Sequence, residues 1–309
     1  MISTIDKYKG CLMGLAVGDA IGTTSEFKPP NTFDPTPRMI GGGPFNLEAG
    51  QWTDDTSMTL CLGQSLIDTY PNFNIQDQLQ KYWKWYKEGY MSSNGKCFDI
   101  GITTASALTK WKRSGGELSA PDTPTSSGNG SIMRLAPIPM RYLTNKNHMV
   151  LMSEWSSKST HASQMCIESC IVLSLIISGA LLGKSKQEIC SSMYGKEFLP
   201  YQDKIKSPEV LSIWRDCAYK NKTKEQISGK GFVITTLECA LWSFWNAGNY
   251  RDTIGLCYER GHDTDTTCAV AGSIAGAYYG YDGIPKEWKN KIAKKELILE
   301  MSETLFKLK

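Results

Sequence analysis

The sequence predicts an all-α protein that folds as one compact domain, and three observations support this prediction. Long apolar patterns with a period of 3.6 residues dominate the chain. Runs of β-branched residues are short, and no Asn-Gly or Asp-Gly pair joins two alternating stretches as a hairpin would. No linker separates independently patterned blocks, so we expect a single domain over residues 1–309.

Four segments carry the clearest helical periodicity. Apolar residues recur at helical spacing in residues 56–70, 75–86, 162–182 and 232–247. We therefore predict a helix in each of these segments.

Two further predicted helices carry small residues on one face. In the first, glycine recurs at every fourth position, which places the glycines on one side of the helix. Glycine costs about 1 kcal/mol per helical position relative to alanine, so close packing of other backbones has to compensate. The small residues are Gly10, Gly14, Gly18 and Gly22 in the first helix and Ala271, Gly272, Ala275 and Gly276 in the second.

Two long connections interrupt the helical pattern. Residues 28–50 are rich in proline and glycine, and residues 114–130 are rich in serine, threonine, glycine and proline. Structureless loops of this length in a compact domain are usually functional or mobile. Because the first loop follows Glu26, we expect that it can act as a lid over a functional site.

The composition excludes several classes of protein. The net charge is +3 with both signs well mixed, which argues against a nucleic-acid-binding face. The ten cysteines show no C-x-x-C spacing, which favours reduced thiols and a cytoplasmic location. The N-terminus has no apolar signal region, and the most apolar stretch, residues 171–182, is too short to cross a bilayer. We expect a monomer without nucleic-acid or membrane partners.

Two acidic clusters carry the strongest chemical signal. They are residues 52–56 (WTDDT) and residues 262–266 (HDTDT), and each immediately precedes an apolar helix. Aspartate and threonine are favoured at helix N-termini, so each cluster on its own could be a simple cap. If the two clusters meet in the fold, however, their four carboxylates repel one another unless cations bind there. Because His262 is the only possible nitrogen ligand, Mg²⁺ or Mn²⁺ is favoured over Zn²⁺.

Four segments in a fixed order resemble those of the ADP-ribosylglycohydrolases, a family of all-α enzymes, from about residue 8 to residue 281. They are residues 14–22 (GLAVGDAIG), 51–56 (QWTDDT), 128–134 (GNGSIMR) and 263–266 (DTDT). The resemblance implies a compact helical fold with a binuclear metal centre that holds two Mg²⁺ or Mn²⁺ ions against the ribose hydroxyls of ADP-ribose. The implied metal ligands are Thr53, Asp54 and Asp55 from the first cluster and Asp263, Asp265 and Thr266 from the second.

The resemblance also implies two carboxylates that act in catalysis beside the metals. Glu26 matches an acidic position linked to catalysis or gating, and Asp55 is implied to be catalytic as well as metal-binding. On its own, Glu26 could equally be a solvated loop carboxylate.

Binding of the ADP-ribose diphosphate is implied for the loop Gly128, Asn129, Gly130 and Ser131, where backbone N–H groups can reach phosphate oxygens. His161 matches a histidine near the nucleotide. Without the resemblance, the loop is simply a turn and His161 a structural residue at a helix start.

Residues 97–101 (CFDIG) bear on which bond is cut. They resemble a segment of members that remove ADP-ribose from arginine, which implies that Asp99 and Gly101 contact the substrate. A carboxylate can form a bidentate pair with a guanidinium, although Asp99 could also be the N-cap of a helix that ends near Lys112. One departure from the family pattern is His262, which stands where glycine is common and would add an imidazole to the metal pocket.

The sequence therefore predicts a hydrolase that removes ADP-ribose from arginine on proteins and so reverses regulatory or toxin-catalysed modification, in the latter case as an immunity protein. Alternatives are a hydrolase of serine-linked, poly- or O-acetyl-ADP-ribose, an inactive ADP-ribose-binding relative and a metal-dependent phosphatase.

Overall fold

The computed structural model describes residues 2–191 and 199–309, in which every regular element is helical. Within these residues the only β-type pairings are two isolated bridges, Gly42 with Leu47 and Gly128 with Phe232. The all-α prediction is confirmed. In chain order the α-helices of the described residues are α1 (Thr4–Gly22), α2 (Asp54–Asp68), α3 (Ile75–Glu88), α4 (Ile102–Arg113), α5 (Pro137–Arg141), α6 (Lys146–Lys158), α7 (Gln164–Leu181), α8 (Lys186–Ile189), α9 (Pro208–Trp214), α10 (Val233–Asn246), α11 (Tyr250–Tyr258), α12 (Thr264–Tyr279), α13 (Lys286–Lys289) and α14 (Lys295–Leu308).

The four helices predicted from periodicity are present as α2, α3, α7 and α10, and their ends differ from the predicted ones by two residues at most. The largest consequence concerns α2, which begins at Asp54 rather than at residue 56. The first acidic cluster therefore lies partly inside the first helical turn.

The two helices with small-residue faces, α1 and α12, pack directly against each other. A Cβ atom added to Gly10 would lie 2.2 Å from the backbone oxygen of Gly276, and one added to Gly18 would lie 2.1 Å from that of Cys268. Because early residues of α1 meet late residues of α12, the two helices run antiparallel. The predicted close approach is confirmed, and it places the end of α1 beside the start of α12.

Helix α7 forms the most apolar part of the core. Its 18 residues are long and apolar enough to cross a membrane, with a mean hydropathy of 1.8, but 89% of them are buried inside the protein. The helix also carries Glu168, whose carboxylate accepts hydrogen bonds from the backbone N–H groups of Lys206 and Ser207 at 2.8 and 2.9 Å. We argued from the sequence that residues 171–182 are too short to cross a bilayer. That argument was wrong, because the helix that contains them begins further towards the N-terminus, at Gln164. Burial explains the apolar character of α7 as that of a core helix.

The two predicted loops contain almost no regular structure. Residues 28–50 include no helix, and the backbone oxygen of Gly50 accepts a hydrogen bond from the N–H group of Ala293 at 3.0 Å. Residues 114–130 include only a short 3₁₀ turn, Pro124–Ser126. The lid function of the first loop stays a prediction.

Candidate active site

The two acidic clusters meet at the N-termini of α2 and α12. Thr53 and Asp263 occupy the N-cap positions of these helices, but neither side chain makes a capping hydrogen bond. The Thr53 hydroxyl instead lies 3.0 Å from Asp55 Oδ2 and 3.2 Å from Asp265 Oδ2. Simple capping is therefore the wrong explanation for the clusters, because their side chains point towards each other.

Asp19, on α1, provides the cap that α2 lacks. Its carboxylate accepts hydrogen bonds from the backbone N–H groups of Thr53 and Thr56, at 2.9 and 3.0 Å, and from both their hydroxyls, at 2.9 and 2.6 Å. Burial raises the pKa of Asp19, whereas the four hydrogen bonds lower it. We did not assign a role to Asp19 from the sequence, although its position inside a glycine-rich helix was a usable signal.

Carboxylate oxygens converge in two overlapping groups. One group contains Asp54, Asp55 and Asp265, and the other contains Glu26, Asp99 and Asp265; within each, the potential ligand atoms lie within 4.8 Å of one another. Three of the buried oxygens have no hydrogen-bond partner, namely Oδ1 of Asp55, Oδ1 of Asp265 and Oε2 of Glu26. Buried charged oxygens without partners are costly, so this site needs protons or cations.

Burial and mutual repulsion raise the pKa values of this cluster. Burial is the largest cause for Asp54, Asp55 and Asp265, whose pKa values lie well above the ordinary value, and repulsion from neighbouring carboxylates adds to it. The pKa of Glu26 is raised to about 10 by burial and then by the charge of Asp99. Oxygen ligands of this kind suit a hard divalent cation, so the residues present fit Mg²⁺ or Mn²⁺.

The other predicted metal ligands, Thr53, Asp263 and Thr266, lie around these groups, with the Thr53 hydroxyl between Asp55 and Asp265. The carboxylate of Asp263 accepts a hydrogen bond from the amide of Asn129 at 2.7 Å and belongs to neither group. Thr266 lines the cavity above the cluster, whereas Thr53 and Asp55 are buried and are not among the residues that line it.

The cluster opens into a cavity of about 250 Å³. Three larger cavities, of about 660, 740 and 790 Å³, lie elsewhere, and none of them is lined by a residue of the two acidic clusters. The chemistry therefore belongs to the smaller cavity. Its lining consists of Glu26, Phe27, Asp54, Asp99, Gly101, Ile102, Thr103, Thr104, Gly128, Asn129, Gly130, Met133, His161, Gly231, Asp263, Asp265 and Thr266.

The glycine loop forms one wall of this cavity together with His161. A Cβ atom on Gly130 would lie 2.7 Å from the His161 ring, and one on Gly128 would lie 3.6 Å from it, so the imidazole packs against the loop backbone. Burial, followed by the nearby charge of Arg134, lowers the pKa of His161 to about 3, which leaves the ring neutral. The Ser131 side chain is fully buried and is not among the residues that line the cavity, so a contact of Ser131 with the substrate stays a prediction.

Arg134 supports the glycine loop from behind and was not predicted from the sequence as a site residue. Its guanidinium donates hydrogen bonds to the backbone oxygen of Gly130 at 2.9 Å and to the hydroxyl of Thr160 at 2.7 Å. Thr160 in turn contacts Nδ1 of His161 at 2.8 Å. The fully buried arginine thereby fixes the loop and the histidine relative to each other.

The adjoining wall comes from the segment around Asp99, and a Cβ atom on Gly130 would lie 3.2 Å from the Thr104 hydroxyl. Helix α4 begins at Ile102 with Gly101 at its N-cap, so Asp99 is not the N-cap that we considered from the sequence. No side chain caps this helix, and its first residues, including Thr103 and Thr104, line the cavity. Free N–H groups at a helix N-terminus attract anions. No pattern in the sequence selects these two threonines beyond their position after Gly101.

Glu26 is 4% exposed, so its alternative as a solvated loop carboxylate is wrong. The next residue, Phe27, donates a backbone hydrogen bond to the oxygen of His262 at 2.6 Å. His262 has φ of +63°, a left-handed conformation that favours glycine. It is not among the residues that line the cavity, so the expectation of an added imidazole in the metal pocket was wrong.

Comparisons with known proteins agree with this geometry. A sequence model described as ADP-ribosylglycohydrolase matches residues 1–309. The "ADP-ribosylarginine hydrolase Tri1" of Serratia proteamaculans is 39% identical over 303 residues, covering 98% of this chain and 80% of that protein. The protein of the same name from Pseudomonas putida is 38% identical over 306 residues, covering 98% and 78%. A solved structure described as "ADP-ribosylglycohydrolase-related protein complex" has a TM-score of 0.85 at 30% identity and covers 99% of this chain and 98% of that one.

Proposed function

Because the chain belongs to the ADP-ribosylglycohydrolase family, we propose that it is an ADP-ribosylarginine hydrolase. Water adds to C1″ of the ribose, the N-glycosidic bond breaks, and ADP-ribose and an unmodified arginine are released. The observation that carries this proposal is the position of Asp99, which lies with Glu26 and Asp265 at the cavity. A carboxylate at this place suits a guanidinium as the leaving group.

Asp99 binds the guanidinium and orients it in this proposal. Burial raises its pKa to about 6, while hydrogen bonds from Asp265 and Glu26 counteract the rise. The side chain therefore remains largely ionised at neutral pH and can form a bidentate pair with the arginine.

Glu26 is the group that transfers a proton. Burial, followed by repulsion from neighbouring carboxylates, raises its pKa to about 10 in the metal-free protein, and the burial that remains when cations bind still favours the protonated carboxyl. A protonated carboxyl within reach of the scissile bond can donate that proton to the leaving nitrogen.

The acidic cluster holds two Mg²⁺ or Mn²⁺ ions in this proposal, with Thr53, Asp54, Asp55, Asp263, Asp265 and Thr266 as ligands. When bound, such cations orient hydroxyl groups, polarise bonds and help to activate water. The proposal is supported by the unpartnered oxygens of Asp55 and Asp265, which are buried and need a positive partner.

The diphosphate of ADP-ribose lies between the glycine loop and the uncapped start of α4. Backbone N–H groups of Gly128 and Gly130 and of the first turn of α4 are the donors we assign to it, since both segments line the cavity. Neutral His161 contributes to the same wall.

We further propose that the chain acts as a monomer in the cytoplasm on ADP-ribosylated proteins, in regulation or in immunity to an ADP-ribosylating toxin. The ten cysteines are all free, which fits a reducing compartment.

The proposal is tested with Asp99→Asn, assayed on a protein with ADP-ribose on arginine and on a peptide with ADP-ribose on serine. We expect the wild type to act on the arginine-linked substrate and the variant to lose about 10- to 100-fold in kcat/KM, as for the loss of a charged hydrogen bond. Asp122→Asn, at an exposed position, is the matched control and keeps full activity. Wild-type protein that acts on the serine-linked peptide alone would overturn the proposal.

A further inference from the structure

Two large apolar side chains are exposed at the edge of an otherwise polar cavity. Ile102 is 90% exposed and Phe27 is 65% exposed, and both line the cavity of the candidate site. Among the exposed large hydrophobic residues in the described part of the chain, these two have the highest exposure. Single exposed apolar residues need no explanation, but two on one functional cavity indicate a contact with a ligand.

Both residues are placed next to acids of the active site. Phe27 directly follows Glu26, and Ile102 begins the helix that follows Asp99. Phe27 and Asp99 have φ of +63° and +55°, a left-handed conformation that is unfavourable for side chains other than glycine. Such backbone strain concentrates at functional sites.

The position of the Phe27 ring is fixed by its neighbours. Its backbone is tied to His262 by the hydrogen bond at 2.6 Å. Its ring meets the ring of Phe45 edge-on, with centroids 6.5 Å apart, and Phe45 lies 5.3 Å from Phe98, the residue before Asp99. This aromatic row connects the Glu26 side of the cavity to the Asp99 side.

We propose that Phe27 and Ile102 form an apolar clamp for the methylene groups of the modified arginine. An arginine side chain combines a charged head with a stem of methylene groups, and such stems pack along apolar surface while the head stays with polar groups. Asp99 takes the head and the clamp takes the stem. The other apolar part of the substrate is the adenine base, but the diphosphate separates it from C1″, whereas the arginine stem begins beside C1″ and therefore beside Glu26 and Asp99, the neighbours of the two apolar residues. This inference rests on the proposed arginine specificity.

The clamp adds a second element to substrate selection. A serine side chain has a single methylene group, so an ADP-ribosylated serine leaves both apolar residues without a partner. Asp99 and the clamp therefore favour the same substrate through charge and through apolar contact.

The experiment measures two constants for Phe27→Ala and Ile102→Ala: KM for an arginine-ADP-ribosylated peptide and Ki for free ADP-ribose, which carries no arginine. We expect KM to rise about 10-fold in each variant, the scale for lost contacts with a few methylene groups, while Ki stays within a factor of two. Phe27→Leu and Ile102→Val keep the apolar surface and restore most of the affinity. Leu182→Ala, another exposed apolar position, is the control and changes neither constant.

The outcomes separate the alternatives. A parallel rise of KM and Ki would mean that these residues contact ADP-ribose itself, which overturns the clamp. An unchanged KM in both variants, with active wild-type enzyme, also overturns the clamp but leaves the proposed function intact. Wild-type protein without activity on the arginine-linked peptide would overturn the proposed function and the clamp together. Because a folding defect would also weaken ADP-ribose binding, the constants are compared only for variants whose thermal unfolding midpoints match that of the wild type.

Discussion

Asp19 is a buried residue outside the cavity that influences how the carboxylates of the acidic cluster are arranged. It caps the N-terminus of α2 from a neighbouring helix, so Asp54 and Asp55 are not needed for capping. An N-terminal helical turn normally uses its own acidic or hydroxyl side chains for this purpose. The side chains of α2 are therefore available to bind a cation.

Asp19→Asn is expected to weaken metal binding, although Asp19 is not one of the proposed ligands. The amide nitrogen would face N–H and hydroxyl donors, so at least one hydrogen bond to Thr53 or Thr56 would be lost. We expect at least a 10-fold loss of Mn²⁺ affinity in a calorimetric titration, the scale for loss of a residue that orients metal ligands.

Glu168→Gln is the control for this substitution, because Glu168 is also buried and also accepts backbone N–H bonds, but on α7. It should lower thermal stability without changing Mn²⁺ affinity. If both variants bound Mn²⁺ like the wild type, Asp19 would have no role in positioning the ligands.

The raised pKa values of the site predict how pH affects the metal-free protein. Glu26 and Asp99 have folded-state pKa values of about 10 and about 6, above their ordinary values, so the folded protein binds protons more tightly than the unfolded chain. The resulting stabilisation is present at low pH and is lost as pH rises through these values. The pKa values of the proposed ligands Asp54, Asp55 and Asp265 are raised as well, and a bound cation takes the place of protons on these three carboxyls.

We therefore expect Mn²⁺ to raise the thermal unfolding midpoint more at pH 8 than at pH 5, measured by scanning calorimetry against samples with a chelator. Ligand-induced stabilisation of the same size at both pH values would contradict the proposed coupling between the carboxyl cluster and the cation.

Some of the individual site residues could be identified from the sequence, and others could not. Glu26 and Asp99 could be selected through the motifs around them, because their neighbours follow a family pattern. Arg134 and Thr104 could not be given roles, since their importance arises from contacts with residues distant in sequence or from their place on a cavity wall. His262 was misjudged because its conformation, rather than its imidazole, is what the site uses.

At the scale of elements, the contact between α1 and α12 brings the two acidic clusters together. Gly22 meets the start of α12 so closely that a Cβ atom there would lie 2.3 Å from the oxygen of Thr264. The Thr264 hydroxyl also donates a hydrogen bond to the oxygen of Gly22 at 2.7 Å. The glycine face therefore positions Asp19 and Asp265 as well as packing the core.

Gly18→Ala is expected to destabilise the fold and reduce activity, because the added methyl group would lie 2.1 Å from the backbone oxygen of Cys268. Overpacking costs about 1–3 kcal/mol, and a clash with a backbone oxygen belongs at the upper end of this range, so the cost exceeds the gain of about 1 kcal/mol in helix propensity. The free energy of unfolding in urea measures the change.

Gly255→Ala is the matched control, since Gly255 also lies in a helix but its added Cβ atom would only contact Pro37 at 3.8 Å. We expect this variant to be unchanged or slightly more stable. A Gly18→Ala variant that gained stability to the same extent would show that α1 and α12 are not packed this closely.

Periodicity and small-residue spacing predicted these helices well, because both depend only on local sequence. The identity of the partner helix could not be predicted in the same way. Nothing in residues 10–22 specifies that the face they form meets α12 rather than another small-residue surface.

At the scale of the whole molecule, the site is assembled from distant parts of the chain. Thr53 and Asp265, which lie 3.2 Å apart, are separated by 212 positions in the sequence. The shared chemistry of the two clusters only allowed that they form one site, and the resemblance to the family implied that they do. The sequence could not predict the cavity walls, because these depend on how α4, the glycine loop and α12 are arranged in space.

The release of ADP-ribose from an arginine-ADP-ribosylated protein, first with a chelator and then with added Mn²⁺ or Mg²⁺, tests the central claim most directly. We predict no release with the chelator and full recovery with the metal, as expected if the cation is bound by the carboxyl cluster around Asp55 and Asp265. Undiminished release in the presence of the chelator would contradict the metal centre. Absence of release under every condition, from a folded protein, would contradict the proposed reaction.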